Sequence, residues 1–131
     1  AFLFAADIMR NITIPNAEIS FIKLSSYSGT TTTGKVSELI GFSKDIKNRN
    51  VIILEDIIDS GITLEKIMSL LEKENVATIK VATLLFKPDA YSKDIKIDFI
   101  GKSIPNNFVV GYGLDYDEIG RNLPHIYKLK K

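Results

Sequence analysis

The segment from Val51 to Thr63, VIILEDIIDSGIT, constrains the fold of this chain most strongly. Its first four residues are apolar and mostly β-branched, which is typical of a strand buried on both faces of a parallel sheet. Two adjacent carboxylates, Glu55 and Asp56, follow, and we expect the strand to stop there in an acidic turn. From Leu64 onward, apolar residues recur at helical spacing. The segment therefore predicts a strand, an acidic turn, a short loop and a helix.

The loop between this strand and this helix has the features of an anion site. Open α/β sheets bind ligands just outside the carboxyl ends of their strands. At the amino end of a helix, unpaired backbone N–H groups and the positive dipole favour a phosphate without Lys or Arg. Gly61 permits close approach of the backbone, and Ser60 and Thr63 add hydroxyl donors. Because carboxylates repel phosphate, we expect Glu55 and Asp56 to bind sugar hydroxyls or a magnesium ion.

The composition narrows the classes of protein that remain. The 131 residues, 45% hydrophobic and 25% charged, are sufficient for one globular domain over 1–131. A net charge of +1 with interspersed signs indicates neither a nucleic-acid surface nor an anionic-membrane patch. The chain has no cysteine for a thiolate nucleophile or a Cys-based zinc site, and no apolar run approaches the roughly 20 residues of a membrane helix. We therefore expect a cytoplasmic protein.

The rest of the chain alternates strand and helix patterns. The apolar residues at the start open without a capping residue or Met, as though a helix is already under way, and we expect an amino-terminal segment to precede them. With the central helix, the flanking strands predict a parallel βαβ unit. The predicted elements are a helix over 1–10 and strands at Ala17–Leu24, Val36–Phe42, Ala77–Phe86, Ile97–Ile100 and within Leu123–Leu129.

The segment from Ser25 to Lys35, SSYSGTTTTGK, contains no core residues. Its polar composition predicts a long exposed loop, and long loops in compact domains are often lids over a site. An ordinary β-ribbon tip explains the composition equally well.

The motifs together resemble a known family. LEDIIDSGIT is similar to the phosphoribosyl-pyrophosphate signature of type I phosphoribosyltransferases. LLFKPDA and IDFIGKSIPNNFVVGYGLDYDEIGRNLPHIYKL resemble the purine-binding end of hypoxanthine-guanine phosphoribosyltransferases. FAADI and LSSYSGTTTTG resemble the early helix and the mobile loop of the same family. The resemblance implies an α/β, Rossmann-like fold: a central, mainly parallel sheet flanked by helices, with a small partial hood and a flexible lid loop.

The resemblance assigns the activated sugar to the first motif. Glu55 and Asp56 would hold the ribose hydroxyls of phosphoribosyl pyrophosphate, directly or through Mg²⁺. Asp59 would be the catalytic base or acid at purine N7. A cradle for the 5′-phosphate would be formed by Asp59, Ser60, Gly61, Ile62 and Thr63.

The resemblance assigns the purine to the later motifs. Lys87 would face the exocyclic oxygen of the purine, and Phe108 would stack on its ring. The carbonyl of Val109 would accept a hydrogen bond from the base edge, and Asp115, beside the purine, would bind a second magnesium ion. Residue types alone also permit a different interpretation, in which Lys87 ends a strand and Phe108 is an ordinary core aromatic.

The leaving group and the lid are also assigned by resemblance. Arg121 would lie near the pyrophosphate, although a surface ion pair with Asp117 or Glu118 explains it equally well. Ser26 and Tyr27, in the mobile loop, would close over the site.

The implied function is purine salvage. The chain would transfer the 5-phosphoribosyl group from phosphoribosyl pyrophosphate to hypoxanthine or guanine with Mg²⁺, and relatives lead us to expect a homodimer or homotetramer. The alternative is a non-catalytic regulator of the same fold that senses phosphoribosyl pyrophosphate or a nucleotide. In the family a short pyrophosphate-binding loop precedes the position that corresponds to Ala1, and we expect that loop in the amino-terminal segment before this sequence. Asp7, in the mainly apolar first helix, has no functional explanation from the sequence.

Overall fold

The computed structural model describes residues 1–24, 38–40 and 45–130. Within these residues the chain forms two helices and seven strands. The helices are α1 (Phe2–Asn11) and α2 (Ile62–Glu72). The strands are β1 (Lys23–Leu24), β2 (Glu38–Ile40), β3 (Asn50–Ile58), β4 (Thr78–Phe86), β5 (Phe99–Ser103), β6 (Val109–Val110) and β7 (Tyr127–Lys128).

The central sheet is parallel, as the sequence predicts. β3 pairs with β4, and β4 pairs with β5, in the order β3-β4-β5. The register aligns Ile58 with Phe86 and Phe86 with Ser103, so the three strands end at one edge. Because β3, α2 and β4 are consecutive, the predicted βαβ unit is confirmed.

The core lies between this sheet and α2. The apolar face of α2 packs on the inward side chains of the two longer strands, and each fully buried Leu or Val side chain contributes about 1.5–3 kcal/mol to stability. The buried cluster consists of Ile53, Ile58, Leu64, Ile67, Leu71 and Val81. This packing fixes the amino end of α2 at the edge of the sheet where the strands end.

The predicted end of the central strand is wrong. β3 does not stop at Glu55 and Asp56 but continues through them to Ile58. Its ladder with β4 also continues, with Glu55 opposite Thr83 and Ile58 opposite Phe86. The strand persists because Ile57 and Ile58 resume the apolar pattern after the two acids. The carboxylates therefore project from a rigid strand and not from a turn.

Several other boundaries differ from the predictions. Of the predicted strand Ala17–Leu24, only Lys23–Leu24 forms a strand, which pairs antiparallel with β2. The strand predicted at Ile97–Ile100 begins two residues later, as β5 at Phe99–Ser103. β-branched residues favoured both predictions, but strand pairing with neighbouring backbone decides the bounds.

The helix and strand predictions elsewhere are confirmed. α1 covers the predicted first helix, and β4 lies within Ala77–Phe86. The last predicted strand is β7, which pairs antiparallel with β6. The predicted strand at Val36–Phe42 contains β2, but its remaining residues and the loop Ser25–Lys35 lie outside the described residues. Across the described ranges, neither helix has the length and apolarity needed to cross a membrane.

Candidate active site

Two predicted site residues, Asp59 and Lys87, lie at the carboxyl edge of the central sheet, directly after β3 and β4. Each central strand ends there, and backbone hydrogen bonds join the segments that follow. The N–H of Lys87 donates to the carbonyl of Ile58 at 3.0 Å, and the N–H of Ile104 donates to that of Phe86 at 2.8 Å. The residues that follow β3 and β4 are therefore held side by side.

The segment Asp59–Thr63, which we call the phosphate loop, turns directly from β3 into α2. Gly61 is the N-cap residue of α2 and has a left-handed backbone, with φ of 85°. It has no side chain to cap the helix, and the Ser60 hydroxyl lies 3.5 Å from the N–H of Ile62, at the limit of a hydrogen bond. The first helical N–H groups thus remain available to an anion, and their use by a phosphate stays a prediction.

The segment after β4 packs against the phosphate loop and the start of α2. A methyl group added at Gly61 would lie 2.6 Å from Cε2 of Tyr91. The N–H and the hydroxyl of Ser92 both donate to the carbonyl of Ser60, at 3.3 and 3.2 Å. Lys93 forms an ion pair with Glu65 of α2 at 2.7 Å. Sequence reasoning missed these three supporting residues, because nothing in the run Tyr91–Lys93 signals contact with a loop some 30 positions earlier.

The adjacent carboxylates of Glu55 and Asp56 are close to the phosphate loop along β3. Burial, together with the negative charge of Asp56, raises the pKa of Glu55 to about 7. The Asp56 side chain is 15% exposed. Its Oδ1 accepts the N–H of Ile57 at 2.9 Å. The two acids therefore form a partly buried pair of carboxyl groups that repel each other when both are ionised.

Glu55 and Asp56 are too few to form a metal site from protein ligands alone, but two carboxylates are sufficient for a magnesium ion. Among the described residues, no group of three or more His, Cys, Asp or Glu could hold a metal. Mg²⁺, however, usually binds one or two carboxylates and completes its shell with water and substrate oxygens. The pKa of Glu55 is raised mainly by burial and further by the charge of Asp56, and a divalent cation would offset both effects. Glu55 and Asp56 are thus suited to a metal that arrives with a phosphorylated substrate.

Asp59 and Lys87 are brought together at the ends of β3 and β4. Nζ of Lys87 lies 2.8 Å from Oδ2 of Asp59, and the Lys87 side chain is 8% exposed whereas that of Asp59 is 50% exposed. A buried ammonium requires a charged partner, and Asp59 provides one. The pair presents a donor and an acceptor at the edge of the sheet. The interpretation of Lys87 as a mere strand end does not explain this burial.

Phe108 and Val109 lie at the start of the hairpin made by β6 and β7. The Phe108 ring is 52% exposed, so it is not an ordinary core aromatic. It makes an edge-to-face contact with Tyr116, with ring centres 5.5 Å apart. Val109 lies opposite Lys128 in the hairpin. Sequence reasoning missed Tyr116, whose spacing from Phe108 gives no signal of contact.

Asp115 and Arg121 form the third pair of predicted site residues. Nη2 of Arg121 lies 2.9 Å from Oδ1 of Asp115 and 3.4 Å from Oε2 of Glu118. Nη1 of Arg121 donates to the carbonyl of Gly113 at 2.9 Å. The expected surface pair with Glu118 is therefore present, together with a pair with Asp115 that was not expected. In the described part of the chain, no hydrogen bond or ion pair links Arg121 or Asp115 to Lys87.

The structure thus groups six of the predicted residues in three pairs, two of them joined by ion pairs and one by adjacency along β3. The pairs are Glu55 with Asp56, Asp59 with Lys87, and Asp115 with Arg121. Ser26 and Tyr27, predicted to close over the site, lie outside the described residues, so the lid stays a prediction.

A cleft of about 490 Å³ lies beside the site, between α1 and β3. Glu55 is one of its lining residues, and much of the lining is apolar, including Ile8, Ile19 and Ile52. The cleft contains neither the phosphate loop nor Lys87. It is therefore separate from the Asp59–Lys87 pair.

Comparison with known proteins identifies the family. The family model described as "Phosphoribosyl transferase domain" matches residues 1–117. The chain is 46% identical over 130 residues to a hypoxanthine phosphoribosyltransferase of Buchnera aphidicola, a match that covers 98% of this chain and 73% of the relative. It is 45% identical over 129 residues to a hypoxanthine-guanine phosphoribosyltransferase of Staphylococcus epidermidis, covering 98% and 72%.

Solved structures agree with the sequence matches. The crystal structure of a hypoxanthine-guanine phosphoribosyltransferase from Bacillus anthracis, with a HEPES molecule in its active site, superposes with a TM-score of 0.89 at 42% identity. This match covers 98% of the present chain and 76% of that chain. The chain therefore belongs to the phosphoribosyltransferase family and, within it, to the hypoxanthine and hypoxanthine-guanine phosphoribosyltransferases.

Proposed function

We propose that this chain transfers the 5-phosphoribosyl group of phosphoribosyl pyrophosphate to hypoxanthine or guanine, a reaction of purine salvage that gives the nucleoside monophosphate and pyrophosphate. The observation that carries this proposal is the contact of 2.8 Å between Asp59 and Lys87, next to the phosphate loop. A phosphate site alone would suit many ligands. The adjoining pair adds a chemistry that suits a 6-oxopurine.

The Asp59–Lys87 pair matches one edge of the purine. N7 and O6 of guanine lie side by side on the same edge. In the free base that reacts through N9, N7 carries the ring proton, so this edge presents a donor at N7 and an acceptor at O6. Lys87 would donate to O6, while Asp59 would exchange a proton with N7. When purine N9 bonds to ribose carbon 1, a proton must leave the ring, and Asp59 would accept it from N7 as general base. The bond from carbon 1 to pyrophosphate breaks, and its electrons depart with the pyrophosphate.

The groups of the activated sugar would lie along β3 and the phosphate loop. The 5′-phosphate would accept N–H groups of the phosphate loop at the start of α2. Glu55 and Asp56 would hold the ribose hydroxyls and a magnesium ion. When bound, Mg²⁺ would stabilise the negative charge of the leaving pyrophosphate. The carboxylates would also tolerate the positive charge that develops on the sugar.

The hairpin after β5 would hold the base and the leaving group. Phe108 would stack on the purine, and its edge-to-face contact with Tyr116 restrains the ring. The Val109 carbonyl would accept from the base edge. Asp115 would bind a second magnesium ion, and Arg121 would approach the pyrophosphate. Asp115 and Arg121 already form an ion pair, so each would bind its ligand while it stays close to the opposite charge of the other.

The test of this proposal is a panel of bases. The protein is mixed with phosphoribosyl pyrophosphate, Mg²⁺ and each of hypoxanthine, guanine, xanthine and adenine, and nucleotide formation is followed by chromatography. We expect conversion of hypoxanthine or guanine and turnover of adenine at least about 100-fold slower, because a 6-amino group cannot accept from Lys87. Lys87→Met is the matched control and should reduce this discrimination.

Two results would overturn the proposal. Equal use of adenine and hypoxanthine would remove the proposed role of the Asp59–Lys87 pair. Tight binding of phosphoribosyl pyrophosphate without nucleotide formation from any base would instead favour a non-catalytic regulator.

Further features of the protein remain proposals. We propose a lid that contains Ser26 and Tyr27, because water must be excluded from an activated sugar. We also propose a homodimer or homotetramer in the cytoplasm. The absence of cysteine agrees with a reducing compartment.

A further inference from the structure

Asp7, which the sequence left unexplained, contacts a residue 105 positions later in the chain. Its Oδ2 accepts a short hydrogen bond from the hydroxyl of Tyr112. Asp7 belongs to α1, and Tyr112 belongs to the turn that follows β6. This bond therefore ties the first helix to the carboxyl-terminal part of the chain.

The turn that contains Tyr112 is tight and strained. Gly111 and Leu114 exchange backbone hydrogen bonds at 2.9 and 3.1 Å, and Tyr112 and Gly113 between them have positive φ angles of 52° and 93°. A left-handed backbone is unusual for a bulky residue such as tyrosine and persists only where surrounding contacts hold it. The hydroxyl bond to Asp7 is one such contact.

The same turn holds Arg121. The N–H of Gly113 donates to the Arg121 carbonyl at 2.9 Å, and Nη1 of Arg121 donates back to the Gly113 carbonyl at 2.9 Å. The other guanidinium nitrogen, Nη2, binds Asp115 at 2.9 Å. Any shift of the turn would thus move both proposed site residues.

Packing against α1 fixes the other side of the turn. A methyl group added at Gly113 would lie 3.9 Å from both Leu3 and Phe2. Apolar contact alone permits sliding, whereas the Asp7–Tyr112 bond sets a register between the helix and the turn. We infer that Asp7 is a positioning residue that acts through Tyr112 to hold Asp115 and Arg121 in the geometry needed to bind the two substrates. This inference rests on the proposed transferase function.

The hydroxyl of Tyr112 remains a donor at neutral pH. Its hydrogen bond to the Asp7 carboxylate, with the charge of that carboxylate, raises the pKa of Tyr112. The Tyr112 hydroxyl therefore stays protonated and able to donate in an assay near neutral pH.

The inference is tested with Asp7→Ala, Tyr112→Phe and the double variant. Each single variant removes the same hydrogen bond, which involves a charged group, so we expect each to raise KM for phosphoribosyl pyrophosphate and hypoxanthine by about tenfold. The double variant should be no worse than either single one. We expect kcat to change less than about twofold, since a distorted binding geometry acts first on KM.

Two further variants separate positioning from charge and from folding. Asp7→Asn keeps an acceptor oxygen and should restore KM to within about threefold of the unchanged protein. Arg10→Ala removes the long ion pair that Asp7 makes on its exposed side, at 3.8 Å, and should leave both constants unchanged. Amide hydrogen exchange should accelerate within 111–123 for Asp7→Ala and for Tyr112→Phe, but not for Arg10→Ala.

Three outcomes would overturn the inference. Additive losses in the double variant would mean that the two residues act separately. Unchanged KM with a lowered unfolding midpoint would make the contact purely structural, as would faster exchange that spreads beyond 111–123. If the unsubstituted protein is inactive, the transferase proposal is wrong. The hydrogen-exchange data would then still show whether the Asp7–Tyr112 bond holds the turn.

Discussion

Lys87 and Asp59 form an ion pair in which the cation is buried and the anion is accessible. The Lys87 side chain is 8% exposed and the Asp59 side chain 50%, with 2.8 Å between their charged atoms. The exposed carboxylate can therefore reach a ligand while it neutralises the buried ammonium. Loss of the Asp59 carboxylate should therefore affect both the reaction and the stability of the fold.

We predict that Asp59→Asn lowers kcat by about 10²–10⁴-fold, because an amide cannot accept the purine proton. KM for phosphoribosyl pyrophosphate should change only a few-fold. The free energy of unfolding should also fall, by about 1–3 kcal/mol, since Lys87 is left buried without its anion, although the half-exposed partner makes the loss smaller than for a fully buried pair. Steady-state kinetics and urea unfolding check the two effects.

The double variant Asp59→Asn/Lys87→Met separates these effects. It should recover most of the lost stability, because no unpaired charge remains buried, and it should recover none of the turnover. A kcat for Asp59→Asn equal to that of the unchanged protein would eliminate the acid–base role.

Gly61→Ala should disrupt the phosphate loop. The added methyl group would meet Tyr91 at 2.6 Å, and a φ of 85° is strained for alanine by about 1–2 kcal/mol. We expect unfolding at a lower urea concentration and affinity for phosphoribosyl pyrophosphate weakened by at least about tenfold, since one misplaced helix start costs several N–H contacts. Calorimetric titration with phosphoribosyl pyrophosphate and Mg²⁺ measures the affinity.

The matched control for Gly61→Ala is Ser60→Ala. It removes only the hydroxyl that lies 3.5 Å from the Ile62 N–H and leaves the backbone unstrained. Stability should stay within about 0.5 kcal/mol of the unchanged protein. Equal stability of Gly61→Ala and Ser60→Ala would mean that Gly61 is not required for its conformation.

Asp98 should make the stability of the sheet depend on acid. Its Oδ2 accepts the Val81 N–H at 2.9 Å, and this bond, aided by Lys80, lowers the pKa of Asp98 below the usual carboxyl range. A carboxyl group with a lowered folded pKa stabilises the fold above its unfolded pKa of about 3.9 and loses that contribution as the pH falls through the folded value. The stability should therefore decline in acid.

Asp98→Asn tests this pH dependence. At pH 7 it should unfold at a lower urea concentration than the unchanged protein, and the gap should narrow below about pH 4 as Asp98 itself becomes protonated. A gap that stays constant between pH 7 and pH 3 would assign the effect to packing and not to charge.

Removal of the metal should stop the reaction. Chelation with EDTA should abolish transfer, and added Mg²⁺ should restore it, because Glu55 and Asp56 supply only two of the ligands and depend on the substrate for others. Asp56→Asn should raise the Mg²⁺ concentration for half-maximal activity by about tenfold or more. Full activity in EDTA would show that the carboxylates serve the ribose alone.

The sequence predicted the parallel sheet and the short loop between β3 and α2 because both depend on local pattern. The apolar run of β3, the helical spacing after Gly61 and the apolar run of β4 each fit one structure. The sequence pattern did not predict the end of β3. The adjacent acids Glu55 and Asp56 indicated a turn, whereas in the structure the strand continues through Ile57 and Ile58. Strand ends are decided by pairing with β4, which a single segment does not reveal.

The contacts that support the site could not be predicted, because they join distant parts of the chain. Tyr91 behind Gly61, Ser92 on the Ser60 carbonyl and Tyr112 on Asp7 each depend on the folded arrangement. Resemblance to a family led us to propose residues that would face ligands. Their supporting neighbours carry no motif of their own.

The most direct measurement of the central claim is the stoichiometry of one reaction. The protein is incubated with phosphoribosyl pyrophosphate, Mg²⁺ and hypoxanthine, and inosine monophosphate and pyrophosphate are quantified by ion-exchange chromatography. Transfer at the Asp59–Lys87 site predicts equal amounts of the two products, none when any component is omitted, and an equal loss of both in Asp59→Asn. Pyrophosphate release that does not depend on hypoxanthine, or no inosine monophosphate at all, would contradict it.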